Sequence, residues 1–352
     1  MKNNLFRNKK ILITGATGSI GSALLNDLIK KNCKVIRAMS NDENGLFEIS
    51  EKIFNTIDNR KNKDSSFNLK MKKNKIRLLY GDIRDYKRCL DASKDIDIII
   101  HVAALKHVQI CEFNPKEAEK TNIVGTKNMC KAAIKNNVER FLFVSTDKAA
   151  DPESIMGTTK KKAEKICLKS NKKKSITKFS CIRFGNVLNS RGSILPLFFN
   201  QILTKNSLTL TNTKMTRFFM SLENSVSLII QSLKLMKGNE IFILKSMNSF
   251  KILDLATCII EIFRSKNKIK IIGTREGEKL NEVLFSKQEK KYLYDSKDMF
   301  IINKIFDQKK MKRIYNAKKL NNFDYYKSNN PHFIMSKEKL KRLLKNIIKN
   351  KK

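Results

Sequence analysis

Three glycines, Gly15, Gly18 and Gly21, lie between the apolar run Ile11–Ile13 and a helical repeat at Ile20, Leu24, Leu25, Leu28 and Ile29. Few sequence features restrict a fold as strongly. A buried strand that turns sharply into a helix places the helix's free N–H groups and positive dipole end at the carboxyl edge of a sheet, where phosphates are held. Gly15 permits the tight turn. Gly18 lets the backbone approach a pyrophosphate, and Gly21 lets the helix lie close on the sheet. In this strand–turn–helix context the pattern predicts a dinucleotide site, with Thr17, Ser19 and Ile20 completing the loop.

Strand and helix patterns then alternate. Strands are predicted at 34–39, 76–80, 96–101, 141–145 and 179–183, and helices at 44–58, 115–136 and 154–170. That order predicts an α/β fold, a Rossmann-type doubly wound parallel sheet with a smaller C-terminal substrate-binding domain. The stretch 59–74, rich in Lys, Asn, Ser and Asp, reads as a surface loop. After Phe184 the rhythm loosens. The expected division is a dinucleotide-binding domain at 1–184 and a mostly substrate-binding domain at 185–330, with a strand near 240–244 returning to the sheet. A Lys-rich helix or tail at 331–352 carries Leu340, Leu343, Leu344, Ile347 and Ile348 on one side.

The 352 residues hold 73 Lys+Arg against 33 Asp+Glu, a net charge of +40, which raises nucleic acid or an anionic membrane as a partner. Only 14 of the 73 are Arg, and the 59 Lys are spread along the chain beside many Ile and Asn. The Lys runs carry no interleaved aromatics of the kind that stack on bases. The excess reads as compositional drift on solvated faces, so no specific nucleic-acid partner is expected. No run of eighteen apolar residues is present, so no membrane span is expected. The start, MKNNLFRNKK, has no apolar core of a secretory signal. Seven Cys without a CxxC pair fit a reduced, cytoplasmic protein, and the three His (101, 107, 332) suggest no metal site.

The predicted strand ends carry the rest of the cofactor site. Strand two runs into Ser40-Asn41 without a terminal acid to hold a ribose 2′-hydroxyl, which favours NADP, although Asp42 and Glu43 just beyond keep NAD open. Gly81-Asp82-Ile83 follows strand three, where Asp82 can reach an adenine amino group. Ala103 and Ala104, ahead of Lys106, follow strand four and let the backbone come close to a ligand. Ser145 ends strand five.

Further motifs follow in order: GDIRD at 81–85, HVAALKHV at 101–108, Asn114-Pro115-Lys116-Glu117-Ala118, TNIVGT at 121–126, and Ser145-Thr146-Asp147-Lys148-Ala149. Later come Arg183-Phe184-Gly185-Asn186-Val187, Ser190-Arg191-Gly192-Ser193, MTRFFM at 215–220, REGEKL at 275–280 and the closing Asp324-Tyr325-Tyr326-Lys327-Ser328. This set, with its GxxGxxG loop, resembles the polysaccharide-biosynthesis branch of the extended short-chain dehydrogenase/reductases. Its members include UDP-N-acetylglucosamine 4,6-dehydratases of capsule and flagellin-glycan pathways. In the expected YxxxK pair the Lys is Lys160, but Met156 stands for the Tyr and cannot exchange a proton. That substitution resembles a subgroup that includes C5-inverting capsule enzymes.

The resemblance implies a tightly bound, recycled NADP or NAD, a UDP-sugar substrate and a homo-oligomer, either dimer or hexamer. In such a reaction the cofactor supplies the hydride chemistry and the protein supplies positioning and proton transfer. Lys148 is the candidate base for the C5 proton if its pKa is depressed, and Asp147 the candidate acid for the C6 hydroxyl if its pKa is raised. Thr146 could bond the C4 oxygen, and Lys160 hold the nicotinamide ribose. Arg217 and Arg275 can fork onto phosphates or stack on uracil, as Lys cannot. Asn186 is a candidate diphosphate donor and Glu278 a ribose-hydroxyl acceptor, with Arg191 and Lys106 also placed at the substrate. A UDP-hexose 4-epimerase, which shares the first hydride step, is the alternative.

Overall fold

The computed structural model describes residues 5–58, 75–245, 247–320 and 326–349. The expected loop at 59–74 and the motif residues Asp324 and Tyr325 lie outside them.

Six strands form the expected parallel sheet: β1 (Lys10–Thr14), β2 (Val35–Ser40), β3 (Ile76–Tyr80), β4 (Ile98–His101), β5 (Arg140–Thr146) and β6 (Lys178–Phe184). They lie in the order β3-β2-β1-β4-β5-β6. The chain order reverses between β1 and β4, which opens a crevice at their carboxyl ends. Ile98, Ile99 and Ile100 are fully buried, as an apolar run covered on both faces requires.

The expected helix at 115–136 is present but not uniform. Pro115–Ala118 and Thr126–Lys135 are α-helical, while Glu119–Gly125 between them is a π-helical turn. Such turns cluster at functional sites. Here Asn122 bonds both the N–H and the carbonyl of Leu105 and also Thr159, pinning the segment after β4 to the helix Ile155–Lys169. The short helices Tyr86–Ser93 and Val108–Phe113 have no counterpart in the sequence reading.

Beyond Phe184 the chain builds a second lobe and repeatedly returns to the sheet. The second lobe holds β7 (Asn186–Val187), β8 (Leu208–Leu210) and β9 (Thr216–Met220). The strand expected near 240–244 is β10 (Ile241–Leu244), parallel to β6. β11 (Asn248–Lys251) and β12 (Ile269–Ile271) then pair with β9 and β8 in the second lobe. Three further strands, β13 (Leu293–Asp295), β14 (Met299–Ile302) and β15 (Lys318–Lys319), extend the main sheet to ten. Residues 293–319 therefore lie with the first lobe, unlike the expected division. β13 and β14 are short, antiparallel and almost wholly buried, so they lack the helix-linked alternation that marked the earlier strands.

The C-terminal helix Lys337–Lys349 is docked. Leu340 and Leu344 are fully buried in the second lobe's core with Phe198, Leu255 and Ile259, and its lysines face outward. No helix among the described residues is long and apolar enough to cross a membrane.

Candidate active site

A cavity of about 680 Å³ runs along the carboxyl ends of β1 to β5, and a second of about 630 Å³ lies between the lobes. Lys148, Asn186, Val187, His107, Gly192 and Ser193 line both, so the two meet at the end of β5.

The glycine loop floors the first cavity. Gly15 has φ +68°, and a Cβ there would lie 2.7 Å from the Ala103 nitrogen, so only glycine fits the turn against the segment after β4. A Cβ on Gly21 would collide with the Gly15 carbonyl. Gly18 differs. It is exposed, has no positive φ, and a Cβ would meet nothing nearer than the Gly15 oxygen at 3.4 Å. Nothing inside the protein demands that Gly18 be bare, which fits close approach by a ligand. The helix Ser19–Ile29 begins there without a side-chain cap, leaving N–H groups for an anion.

The remaining cofactor candidates converge on the same cavity. Thr17, Ser19, Ile20, Ser40, Asn41, Asp82, Ile83, Ala103, Ala104, Lys106, Ser145 and Lys160 all line it. Thr17 and Ser40 share a hydroxyl hydrogen bond of 2.8 Å. Asp42 accepts from the Gly45 N–H at 3.0 Å and faces Arg191 at 3.4 Å, so this acid is already engaged. Burial favours the neutral form of Asp82, but its bonds from Arg84 and Asn41 outweigh burial and lower its pKa. The Ser145 hydroxyl oxygen is buried with no hydrogen-bond partner among the described residues, at the cavity wall. A bare Gly18, free helix N–H groups and this orphaned hydroxyl together fit a dinucleotide laid along the strand ends.

Lys160 is buried on the helix Ile155–Lys169, donating to the Val144 carbonyl at 2.7 Å and lying 4.1 Å from the centre of the Phe143 ring. Burial pushes its pKa down to about 8. Met156, one helical turn earlier, is buried against Cys111 and Ala118. His101 bonds Thr14 and Thr126, and burial lowers its pKa to about 3, so it is a neutral core residue.

At the junction of the cavities sits a buried charge cluster. Lys148 Nζ lies 3.1 Å from Asp147 Oδ1 and 3.0 Å from Glu282 Oε1. Thr146 donates its hydroxyl to Asp147 Oδ1 at 2.8 Å. Arg217 Nε is 3.7 Å from Glu282, and Arg217 Nη2 is 3.7 Å from Glu278. Burial raises the Asp147 pKa, as its candidate role as an acid needs. The condition set for Lys148 is not met. Burial acts to lower its pKa, but Asp147 and Glu282 outweigh burial and raise it, so at rest it is an ammonium ion.

Arg217, Arg275, Glu278 and Asn186 line the inter-lobe cavity. Asn186 donates to the Phe218 carbonyl, and Arg275 donates to Gln109 across the lobes. Arg191 departs from expectation. Its backbone N–H bonds Ser19 at 2.8 Å, its carbonyl accepts from Lys106 at 2.5 Å, and its exposed guanidinium faces Asp42. The loop 190–193 folds back over the glycine loop, so Arg191 lies against Ser19 and Asp42 rather than with Arg217 and Arg275. Glu282 was missed. It lies four residues after Glu278, just past the REGEKL motif, and its signal is a lone acid before the apolar run Val283-Leu284-Phe285.

The polysaccharide biosynthesis protein family matches residues 11–304. An uncharacterized membrane protein of Methanocaldococcus jannaschii is 41% identical, with 98% of each chain covered. A UDP-glucose 4-epimerase of Rickettsia bellii is 41% identical over 81% of this chain and 80% of its own. A UDP-N-acetylglucosamine 4,6-dehydratase (inverting) of Campylobacter jejuni is 37% identical over 96% of this chain and 97% of its own. The solved structure of Pen from Bacillus thuringiensis superposes with a TM-score of 0.86 at 38% identity, covering 97% and 98% of the two chains. With a doubly wound parallel sheet and its motifs gathered at the strand ends, the chain belongs to the polysaccharide biosynthesis protein family.

Proposed function

We propose that the protein is a UDP-N-acetylglucosamine 4,6-dehydratase that inverts C5 and retains NADP. The observation that carries this reading is the Asp147–Lys148 pair at the junction of the two cavities. A 4-epimerase needs no acid and base for C5 and C6; a dehydratase needs both. The inverting dehydratase of Campylobacter jejuni also matches over nearly the full length of both chains, whereas the epimerase of Rickettsia bellii matches over four-fifths.

When bound, the nicotinamide supplies reversible hydride removal at C4 and hydride return at C6. The chain supplies the rest. Lys160, held on the Val144 carbonyl with its pKa lowered to about 8, steadies the ribose and in its neutral form takes the proton that the C4 hydroxyl loses as the ketone forms, passing it on to solvent, with Thr146 as a second partner of that oxygen. Proton transfer from Lys148 to Asp147 across 3.1 Å produces the working pair, a neutral amine and a carboxylic acid. The amine takes the C5 proton. The Asp147 acid gives its proton to the C6 hydroxyl, which departs as water. Inversion follows when a proton returns to C5 from the opposite face. Arg217, Arg275, Asn186 and Glu278 hold the UDP end in the inter-lobe cavity.

NADP is favoured because β2 ends in Ser40-Asn41 and Asp42 is occupied by Gly45 and Arg191. A dimer or hexamer is the expected assembly. The deciding experiment is incubation with UDP-N-acetylglucosamine, followed by mass and NMR analysis. Loss of one water with UDP intact supports the dehydratase, and a C5 configuration opposite to the substrate's supports inversion. Two interconverting 4-epimers of unchanged mass would establish the epimerase instead. Gly18→Val should fold, given the 3.4 Å clearance, yet lose the nucleotide that the native protein releases on denaturation. Equal nucleotide content would remove Gly18 from the cofactor site.

A further inference from the structure

We propose that Glu282, brought from the second lobe, is a positioning residue for proton transfer that acts through Lys148. The inference rests on the dehydratase reading and extends it to a residue outside the motifs.

Glu282 lies just ahead of the apolar run 283–285, and its side chain is 2% exposed, the kind of place where an acid is retained only with partners. Those partners come from three segments. Lys148 stands at the end of β5, Arg217 on β9, and Lys279 on the same segment as Glu282. Its backbone N–H bonds Ser328 at 2.9 Å, fixing that segment. Only one carboxylate oxygen is used. Glu282 Oε2 and Asp147 Oδ2 are both buried without hydrogen-bond partners among the described residues. Both acids of the cluster thus keep an acceptor that a fully matched ion pair would use.

The geometry gives Glu282 two tasks. At 3.0 Å it fixes Lys148 Nζ at the junction of the cavities, where a long, free lysine would sample many rotamers. Its charge also acts on both working groups. It opposes ionisation of Asp147 and favours protonation of Lys148. Burial opposes its own charge, but Lys148 and Arg217 keep its pKa below the usual value. The site therefore keeps one permanent anion while a proton moves between the other two groups. Removing that anion should lower the pKa of Asp147 and of Lys148 together.

The test compares native protein, Glu282→Gln and Glu282→Asp, each with its retained cofactor, in dehydration of UDP-N-acetylglucosamine across pH. Glu282→Gln should lower kcat by up to about 10²-fold with KM little changed. Both limbs of its pH profile should move to lower pH. Glu282→Asp keeps the charge but shortens the side chain, so it should lower kcat with the limbs near their native positions. If both variants lose activity with unmoved limbs, Glu282 serves only the fold and the proposal is overturned. A Glu282→Gln protein that melts early is judged by Glu282→Asp, where a shifted profile would equally overturn it. Native protein that releases no water from the substrate defeats the dehydratase reading itself. A dehydrating native protein with unmoved variant profiles defeats only the role of Glu282.

Discussion

Two buried charge clusters lie at the strand ends, one built on β6 and one just past β5. In one, Arg183 is fully buried and forks onto both Glu164 and Glu289, with four N–H bonds to carboxylate oxygens between 2.7 and 2.9 Å and a fifth to the Leu284 carbonyl. In the other, Lys148 sits between Asp147 and Glu282 with two carboxylate oxygens left over. Both join strand ends of the first lobe to the segment 282–289. The first closes on itself, and burial alone would favour a neutral Arg183, but the two acids hold it firmly charged. The second opens into the cavities and uses a side chain whose charge can move. The two serve opposite ends: a fully buried, planar guanidinium with every donor matched ties β6 and the helix Ile155–Lys169 to the segment 284–289, while a less buried ammonium with poorly matched neighbours can exchange a proton.

The largest effect that tests this contrast is Lys148→Met. Dehydration should fall by about 10²–10⁴-fold or more, as general-base removal does. The fold should survive, because burial raises the Asp147 pKa and so eases its neutral form once the ammonium is gone, and Glu282 keeps Arg217. Solvent deuterium entering C5 of the 4-keto product at the native rate would show that another group is the base. Arg183→Met should reverse the pattern. It strands Glu164 and Glu289 together, and breaking a buried pair in this way costs about 3–5 kcal/mol. A melting temperature near the native value would show that the closed cluster is not structural.

Lys160 gives a smaller effect with a defined sign. Its pKa falls from 10.5 unfolded to about 8 folded, so between those values the unfolded chain holds more of this proton. Its burial therefore costs most below pH 8, and the cost fades as pH rises towards 10.5. The stability difference between native protein and Lys160→Met, followed by chemical unfolding, should shift in favour of the native protein over that window. A constant difference would mean that Lys160 is not desolvated. Met156→Leu should matter least. It conserves volume against Cys111 and Ala118 and costs under about 1.5 kcal/mol, with dehydration persisting. Loss of dehydration in a folded Met156→Leu would give the thioether a chemical role.

The parallel sheet was legible because each strand to β6 is an apolar run set off by helical periodicity, and backbone geometry alone fixes what such runs do. The glycine loop was legible for the same reason: Gly15 and Gly21 answer to backbone contacts that any strand–turn–helix of this spacing meets. The strands at 293–302 were not, since two short antiparallel strands near the sheet's far edge carry no alternation with helices. Nor was the π turn at Glu119–Gly125, where packing of Gly125 against Ile83 and the bonds of Asn122 decide a conformation that helical periodicity does not encode.

The sequence by itself determined the lobe that carries the glycine loop, because residues of one motif stay together when each lies within a few positions of a strand end. It also placed Thr146, Asp147 and Lys148 side by side. Only the tertiary structure decided what those groups become. Lys148 meets Glu282, 134 positions later, and Arg217, and the direction of its pKa depends on whether those charges outweigh its burial. Arg191 shows the same limit from the other side. Its motif lies beyond Phe184 with the segments of the second lobe in sequence, yet the turn through Gly192, at φ +71°, sends it back over Ser19 and Asp42. Charge at a site is a sum over neighbours in space, and neighbours in space are what the fold, not the order of residues, supplies.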